Sequence, residues 1–275
     1  MKEELKYNIG NILLVSQPKR AAKLSQTGMT IMNTSKFTLV DRLMRNALLR
    51  NAEKNKDFDT LAKFQHDYWV NQGTDFFSKN DDSFENAFLP DCSFLFDILI
   101  DQISKQSQTF TTLVEIGTGN GKVLNYLANK FPQIEKLVGI DLSPEQIEIN
   151  SERYKNNARL EFVAADGFEW AKKNGKSHMI FVTSRGVLEY FTEQRLQEFF
   201  NALNSLGKTM FVAIEPNGVD HDITENAGSQ PYGHERSFSH NYERLFKNAG
   251  FELWHNSKKE LNRDDFYFRF IGANN

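Results

Sequence analysis

Residues 113–121 read LVEIGTGNG, and no other stretch narrows the possible folds as far. Four residues of strand character run into Gly117, Gly119 and Gly121, and an amphipathic helical pattern through Val123, Leu124, Tyr126 and Leu127 follows at once. A strand that stops at alternate glycines and restarts as a helix needs backbone conformations, and a closeness of approach, that only a residue without a Cβ allows. The helix start it creates offers unpaired amide donors and partial positive charge. Such a turn suits a nucleotide, although a tight connection without a ligand would favour glycine in the same way. The downstream register separates the two readings. A second strand, 136–140, ends at Asp141, placed to accept hydrogen bonds from ribose hydroxyls, and a third, 160–164, ends in Ala165-Asp166-Gly167. Two carboxylates and a glycine turn thus fall at the carboxyl ends of three successive strands, where open parallel sheets bind ligands.

Glu115-x-Gly117-x-Gly119-x-Gly121, followed by Asp141 and by Asp166-Gly167, resembles the class I S-adenosylmethionine-dependent methyltransferases, from about residue 110 to the last residue of the sequence. The dehydrogenase fingerprint spaces its glycines as G-x-G-x-x-G. Here they fall as G-x-G-x-G after a glutamate, which favours the methyl donor over a nicotinamide. The resemblance implies S-adenosylmethionine as cofactor, with Gly117, Thr118 and Gly119 at its closest backbone approach. It places Asp141 on the ribose hydroxyls, Leu142 on the adenine face, and Asp166 with Gly167 at the adenine amino group. Glu115 would support the loop or the donor's amino group, and Ser184 would border the donor from the loop after the fourth strand.

The alternation continues with helices at 121–130, 144–156, 167–173 and 192–206 and strands at 112–116, 178–183 and 208–214. Strands alternating with helices require right-handed crossovers and give a parallel sheet covered on both faces. A long loop, 216–235, then leads to a helix at 238–249 closed by Gly250, and to strands 251–257 and 265–271 joined by a short polar connection. A final hairpin of this kind inserts an antiparallel strand, a feature of the methyltransferase fold that dinucleotide-binding folds usually lack. The expected fold class is α/β: a Rossmann-like, seven-stranded, mostly parallel sheet with an antiparallel C-terminal hairpin strand. Residues 106–275 would form this core, and residues 1–105 an N-terminal arm and helical cap.

Before the core, residues 1 to about 40 are rich in Ser, Thr, Gln, Asn and Lys, which reads as a solvated arm or as a segment that contacts an acidic partner or closes over the site. From Thr38, Leu43, Met44, Ala47 and Leu48 recur at helical spacing, and Leu61, Phe64 and Tyr68 repeat the pattern after an acidic start. Residues 68–89 then carry Tyr68, Trp69, Phe76, Phe77, Phe84 and Phe88 among Asn, Gly and Asp, a loop-like stretch that either plugs the cap onto the core or walls a pocket. Pro90 opens a helix to about Ser104 whose Phe94, Ile98 and Ile103 would pack on the sheet.

A net charge of −3 makes no case for nucleic acid, and no apolar run approaches the ~20 residues a membrane span requires. The one cysteine, Cys92, excludes an internal disulfide and a cysteine-based zinc site; it reads as buried filler and suits a cytoplasmic setting, as does an N-terminus without signal-peptide layout.

Methyl transfer from a sulfonium is an in-line displacement whose leaving group is already activated, so positioning can supply much of the rate, on the order of 7–11 kcal/mol. An acceptor hydroxyl or ammonium also needs a base. The loop 215–242 holds His221, His234 and His240. Their irregular spacing argues against a metal, and His234 and His240 are the candidate bases, unless they merely pack while Ser237 or Ser239 caps the last helix. Thr183-Ser184-Arg185 stands where many amino-group enzymes carry N-P-P-Y. Arg185 would bind an anionic group of the acceptor or pair with Glu189, and Tyr190 and Trp69 complete the candidate acceptor contacts. The expected activity is methyl transfer to a small molecule. A protein acceptor, a non-catalytic S-adenosylmethionine-binding module and a dinucleotide-dependent oxidoreductase are the alternatives. The sequence names no oligomeric state.

Overall fold

The computed structural model describes residues 2–29, 37–260 and 265–275. The segment read as a solvated arm is largely helical: α1 spans Lys2–Ser16 and α2 spans Pro18–Thr27. Its polar residues look like a linker in sequence, yet the helices have a partner. A Cβ at Gly10 would sit 2.3 Å from the Leu43 carbonyl oxygen, so α1 meets the next helix, α3 (Leu39–Lys54), backbone against backbone. Tyr7 Oη donates to Asn51 Oδ1 at 2.7 Å across the same crossing. At the start of α3 the Thr38 hydroxyl accepts from Asp41 N–H while the Asp41 carboxylate accepts from Thr38 N–H. The Arg20 guanidinium, 2.7 Å from that carboxylate, holds its pKa down at about 2.

The aromatic stretch is not a loop. Helix α4 runs unbroken over Phe58–Lys79, so Trp69, Phe76 and Phe77 project from a rigid rod, and packing overrides the weak helix propensity of the Asn, Gly and Asp between them. A π-helical turn at Phe84–Phe88 and a short helix α5 (Leu89–Cys92) lead into α6 (Phe94–Ser104). The helix expected from Pro90 is therefore split at Ser93. It buries Leu95, Phe96 and Leu99, with Ile98 and Ile103 half-buried beside them, whereas Phe94 stays 39% exposed with its ring 4.9 Å from that of Phe270. Cys92 is buried, and burial pushes its thiol up to about 12.

The core follows the expected alternation within a few residues: β1 Thr112–Ile116, α7 Lys122–Lys130, β2 Lys136–Asp141, α8 Pro144–Arg153, β3 Leu160–Ala164, α9 Gly167–Asn174, β4 Met179–Ser184, α10 Glu193–Ser205 and β5 Thr209–Gly218. Departures concentrate after β5. The strand runs to Gly218, and the expected loop contains β6 (Gln230–Tyr232), paired antiparallel with β7 (Ser237–Ser239). Residues 237–239 are thus strand, and the last helix, α11 (Tyr242–Asn248), is capped by Asn241, whose side chain accepts from Arg244 N–H, and not by Ser237 or Ser239. Strands β8 (Glu252–Glu260) and β9 (Phe266–Asn274) close the chain, and the connection between them lies outside the described residues.

The seven strands are ordered β3-β2-β1-β4-β5-β9-β8, with β9 antiparallel to both its neighbours. The Rossmann-like sheet with its antiparallel C-terminal strand, and the helical cap before it, are as the sequence implies. Strand β1 neighbours both β2 and β4, so the order of the sheet reverses there and a crevice opens beyond its carboxyl end. One apolar cluster fills each face of the sheet, and a third, containing Met29, Leu49, Leu61 and Phe64, joins the cap to Phe238 of β7. The cap is also tied on by Gln65 Nε2, which donates to the Glu235 carbonyl at 3.1 Å, and by Thr74 and Ser143, whose hydroxyls lie 3.2 Å apart.

Candidate active site

At the carboxyl end of β1 the three glycines adopt left-handed φ of 71°, 53° and 74°, which side chains rarely tolerate. None of them has room for a Cβ: at Gly117 it would meet Val187 Cγ2 at 2.5 Å, at Gly119 the Phe77 ring at 2.6 Å and at Gly121 the Tyr154 ring at 2.8 Å. The turn is braced from below by Glu115, fully buried, whose carboxyl accepts from Thr118 Oγ1 at 2.7 Å and Ser184 Oγ at 2.9 Å. Glu115 therefore supports the loop, and it is not among the cavity-lining residues. Asp141 braces the turn from the side. Its Oδ2 accepts from Gly119 N–H and its Oδ1 from Ser143 N–H, each at 3.0 Å.

These elements border one cavity of about 1000 Å³, the upper end of the range for small-molecule sites. Gly117, Thr118, Gly119, Asp141, Leu142, Asp166, Gly167 and Ser184 line one lobe. Both strand-end carboxylates thus face a common space. Asp166 also caps α9 through Glu169 N–H and takes Arg195 Nη2 at 3.0 Å. Trp69, Phe76 and Phe77 of α4 roof the cavity, and Tyr190 meets Trp69 with ring centroids 5.6 Å apart.

The family model described as a methyltransferase domain matches residues 41–256, from the cap through the first residues of β8. The chain belongs to that methyltransferase family. The resemblance seen in the sequence, the enzyme class and S-adenosylmethionine as the cofactor of that class are thereby upheld. Among curated proteins, malonyl-[acyl-carrier protein] O-methyltransferase from Paenibacillus sp. (strain JDR-2) is 24% identical over 165 residues, which are 56% of this chain and 59% of that protein. The chain therefore matches little more than half the length of that relative. Among solved structures, a putative sarcosine dimethylglycine methyltransferase from Galdieria sulphuraria superposes with a TM-score of 0.52 at 10% identity, over 69% of this chain and 87% of that one. Magnesium protoporphyrin IX methyltransferase from Synechocystis PCC 6803, crystallised with bound SAM, gives 0.44 at 13% identity, over 66% and 77%.

Arg185 lines the cavity with its guanidinium 5.5 Å above the Phe268 ring, and does not pair with Glu189. Its φ of 64° is a strained value for a side-chain-bearing residue. Of the two candidate bases, His234 lines the cavity and is exposed at its rim. His240 does not reach it. Buried behind the wall, its Nε2 donates to the Leu188 carbonyl at 3.2 Å and its Nδ1 lies 2.6 Å from Ser229 Oγ, while burial lowers its pKa to about 4. A proton-transfer role for His240 gives way to a structural one, because both ring nitrogens are engaged. His221 is likewise buried, held between Ser239 Oγ and the Asn226 carbonyl. Among the described residues no three His, Cys, Asp or Glu side chains gather to hold a metal ion, and no helix is long and apolar enough to cross a membrane.

Two acids to which the sequence assigned no role in the site, Glu189 having been named only as a candidate partner of Arg185, prove to be buried here. Glu215, at the end of β5, accepts Val187 N–H at 2.9 Å and Leu188 N–H at 3.0 Å, and so pins the turn after β4. Glu189, on that turn, accepts from Tyr232 Oη at 2.5 Å. Loss of water pushes Glu115 and Glu215 up to about 7, and burial with the nearby Glu235 carboxylate pushes Glu189 up to about 8. Glu189 follows a parallel strand and Glu215 lies in one, which was a usable signal; their burial was not.

A pH dependence follows. A carboxyl whose pKa is raised on folding holds its proton in the native state when the unfolded chain has released it, so it lowers stability as pH climbs from about 4.5 through 7 or 8. His240, lowered to about 4, acts oppositely but only below its ordinary 6.5. Between pH 6.5 and 8.5 the carboxyls act unopposed. Unfolding free energy of the ligand-free protein should fall there by on the order of 2 kcal/mol. Urea titrations at several pH values measure it, and a flat profile over that window contradicts the assignment.

Proposed function

We propose that this chain transfers the methyl group of S-adenosylmethionine to a small-molecule acceptor held between the glycine turn and the aromatic roof. The observation that carries the reading is the shared cavity: bare glycine backbone, Asp141 and Asp166 border one lobe, and Arg185, Tyr190 and Trp69 border its continuation. The residues suit the donor, because the backbone at Gly117 and Gly119 comes to the surface of the lobe without a side chain. Asp141 would take the ribose hydroxyls, Leu142 the adenine face and Asp166 the adenine amino group, with Ser184, Thr118 and Gly167 completing the wall. When bound, the donor supplies an electrophilic methyl carbon on a charged sulfur.

What the protein itself does is orient and exclude water. Trp69 and Tyr190 would hold the apolar part of the acceptor, Arg185 would take an anionic group on it, and His234 would meet it at the rim. In this arrangement residues 1–105 serve as the cap over a core of 106–275. An enclosed roof favours a small acceptor over a segment of a folded protein.

Thermal unfolding with S-adenosylhomocysteine and, separately, NAD tests the reading. Ligand at about 100 times its dissociation constant stabilises by about 2.7 kcal/mol, so a clear shift is expected with S-adenosylhomocysteine and none with NAD. A shift with NAD alone would end it.

A further inference from the structure

We propose that Glu189 is the proton acceptor of the transfer and that the methylated atom is the nitrogen of an alkyl amine, which enters as an ammonium between Glu189 and the rings of Trp69 and Tyr190. This deepens the functional reading above and rests on it.

Glu189 lines the cavity yet is only 8% exposed, and it sits on the short turn Leu188–Tyr190, whose first amides Glu215 holds. The turn lies directly over the donor lobe, since Val187 packs against Gly117. One oxygen of Glu189 takes the Tyr232 hydroxyl and the other lies beside Gly186, in space that a Cβ there would occupy. Among the described residues it has no Lys or Arg ion-pair partner; the largest charge effects on it are those of Glu235, which also faces Arg45, and of Glu215. Tyr190, Tyr232 and Tyr242 face the same group as neutral phenols, burial having raised each well above its ordinary value, and the buried His240 behind it is uncharged near neutral pH.

Arg185, Arg195 and Lys63 line other parts of the same cavity, but beside Glu189 a carboxylate and aromatic faces together attract a cation, by charge and by the ring quadrupoles. An ammonium also matches the basicity available. Glu189 titrates near 8 and an alkyl ammonium near that of lysine, about 10.4, whereas an aliphatic hydroxyl holds its proton far more tightly. A phenol would match in pKa but brings no positive charge. The ammonium gives one N–H proton to Glu189, which frees the nitrogen lone pair. That pair forms the bond to the methyl carbon as the carbon–sulfur bond breaks, its electrons remaining on sulfur. The product leaves as an N-methylammonium beside a neutral thioether, and Glu189 returns its proton to water.

Calorimetric titration of the full chain, saturated with S-adenosylhomocysteine, with benzylamine and with its neutral isostere benzyl alcohol tests this. The wild-type protein should prefer the amine at least tenfold at pH 8.5, where Glu189 is mostly ionised and the amine is still mostly an ammonium. Glu189→Gln, shown folded by its own S-adenosylhomocysteine shift, should reduce the preference below threefold. Tyr232→Phe removes a hydrogen bond that favours the charged carboxyl, so the acid limb of the pH profile for methyl transfer to benzylamine should move to higher pH, which a purely structural tyrosine would not do. If the wild-type protein binds S-adenosylhomocysteine but shows no preference for the amine, or if Glu189→Gln keeps it, the proposal is overturned while the methyltransferase reading stands. Failure to bind S-adenosylhomocysteine takes both.

Discussion

Asp141→Ala should show no thermal shift with S-adenosylhomocysteine at concentrations that stabilise the wild-type protein, and should unfold more readily without ligand. Both effects arise from one carboxylate. It accepts from the amides of Gly119 and Ser143, so its removal leaves two buried donors unpaired, at about 1–3 kcal/mol each. The lone pairs assigned to the ribose hydroxyls go with it, and two hydrogen bonds to a charged group, at about 1.5–3 kcal/mol each, amount to more than a hundredfold in affinity. Asp141→Asn separates the two contributions, because the amide keeps one acceptor oxygen for the loop. It should recover part of the stability, since one of the two amides keeps an acceptor, and little of the ligand shift. A full shift in Asp141→Ala would remove the ribose assignment.

Gly119→Val should be the most damaging single change to the turn. A β-branched residue at φ 53° is a backbone outlier, costing about 1–2 kcal/mol before any contact is counted. Its Cβ would also lie 2.6 Å from Phe77, so either the ring or α4 must yield. We expect about 3 kcal/mol of lost stability and no measurable S-adenosylhomocysteine binding. Adding Phe77→Ala should relieve the clash but not the backbone, restoring part of the melting temperature. Wild-type stability in Gly119→Val would mean that the left-handed turn is wrongly described.

What the sequence disclosed was local chemistry. The alternate glycines, and acids one residue beyond strands, follow from backbone geometry that each short stretch imposes on itself, and they were placed within a residue or two. What it concealed depended on distant partners. Helices α1 and α2 have polar faces that resemble a linker, and their neighbours appear only in the fold, where α1 crosses α3 at Gly10 and Leu43 and Arg20 of α2 reaches Asp41. Residues 237–239 looked like the start of a helix because their partner, 230–232, is equally short and carries no strand pattern of its own. Glu189 and Glu215 read like any surface acid, since burial is a property of the assembled core. His240 looked like a base by proximity in sequence, and the fold turned it behind the wall it was expected to face.

Strand β9, which follows all its sheet partners in the chain, lies inside the sheet, between β5 and β8. Until Phe266–Asn274 leaves the ribosome, β5 presents nine unpaired positions, and both large apolar clusters lack the side chains that β9 contributes. A nascent chain in that condition carries an open edge and uncovered apolar surface, the two features that favour aggregation. The sheet thus stays incomplete until β9 has joined it, and disrupting β9 would be felt first as loss of soluble yield.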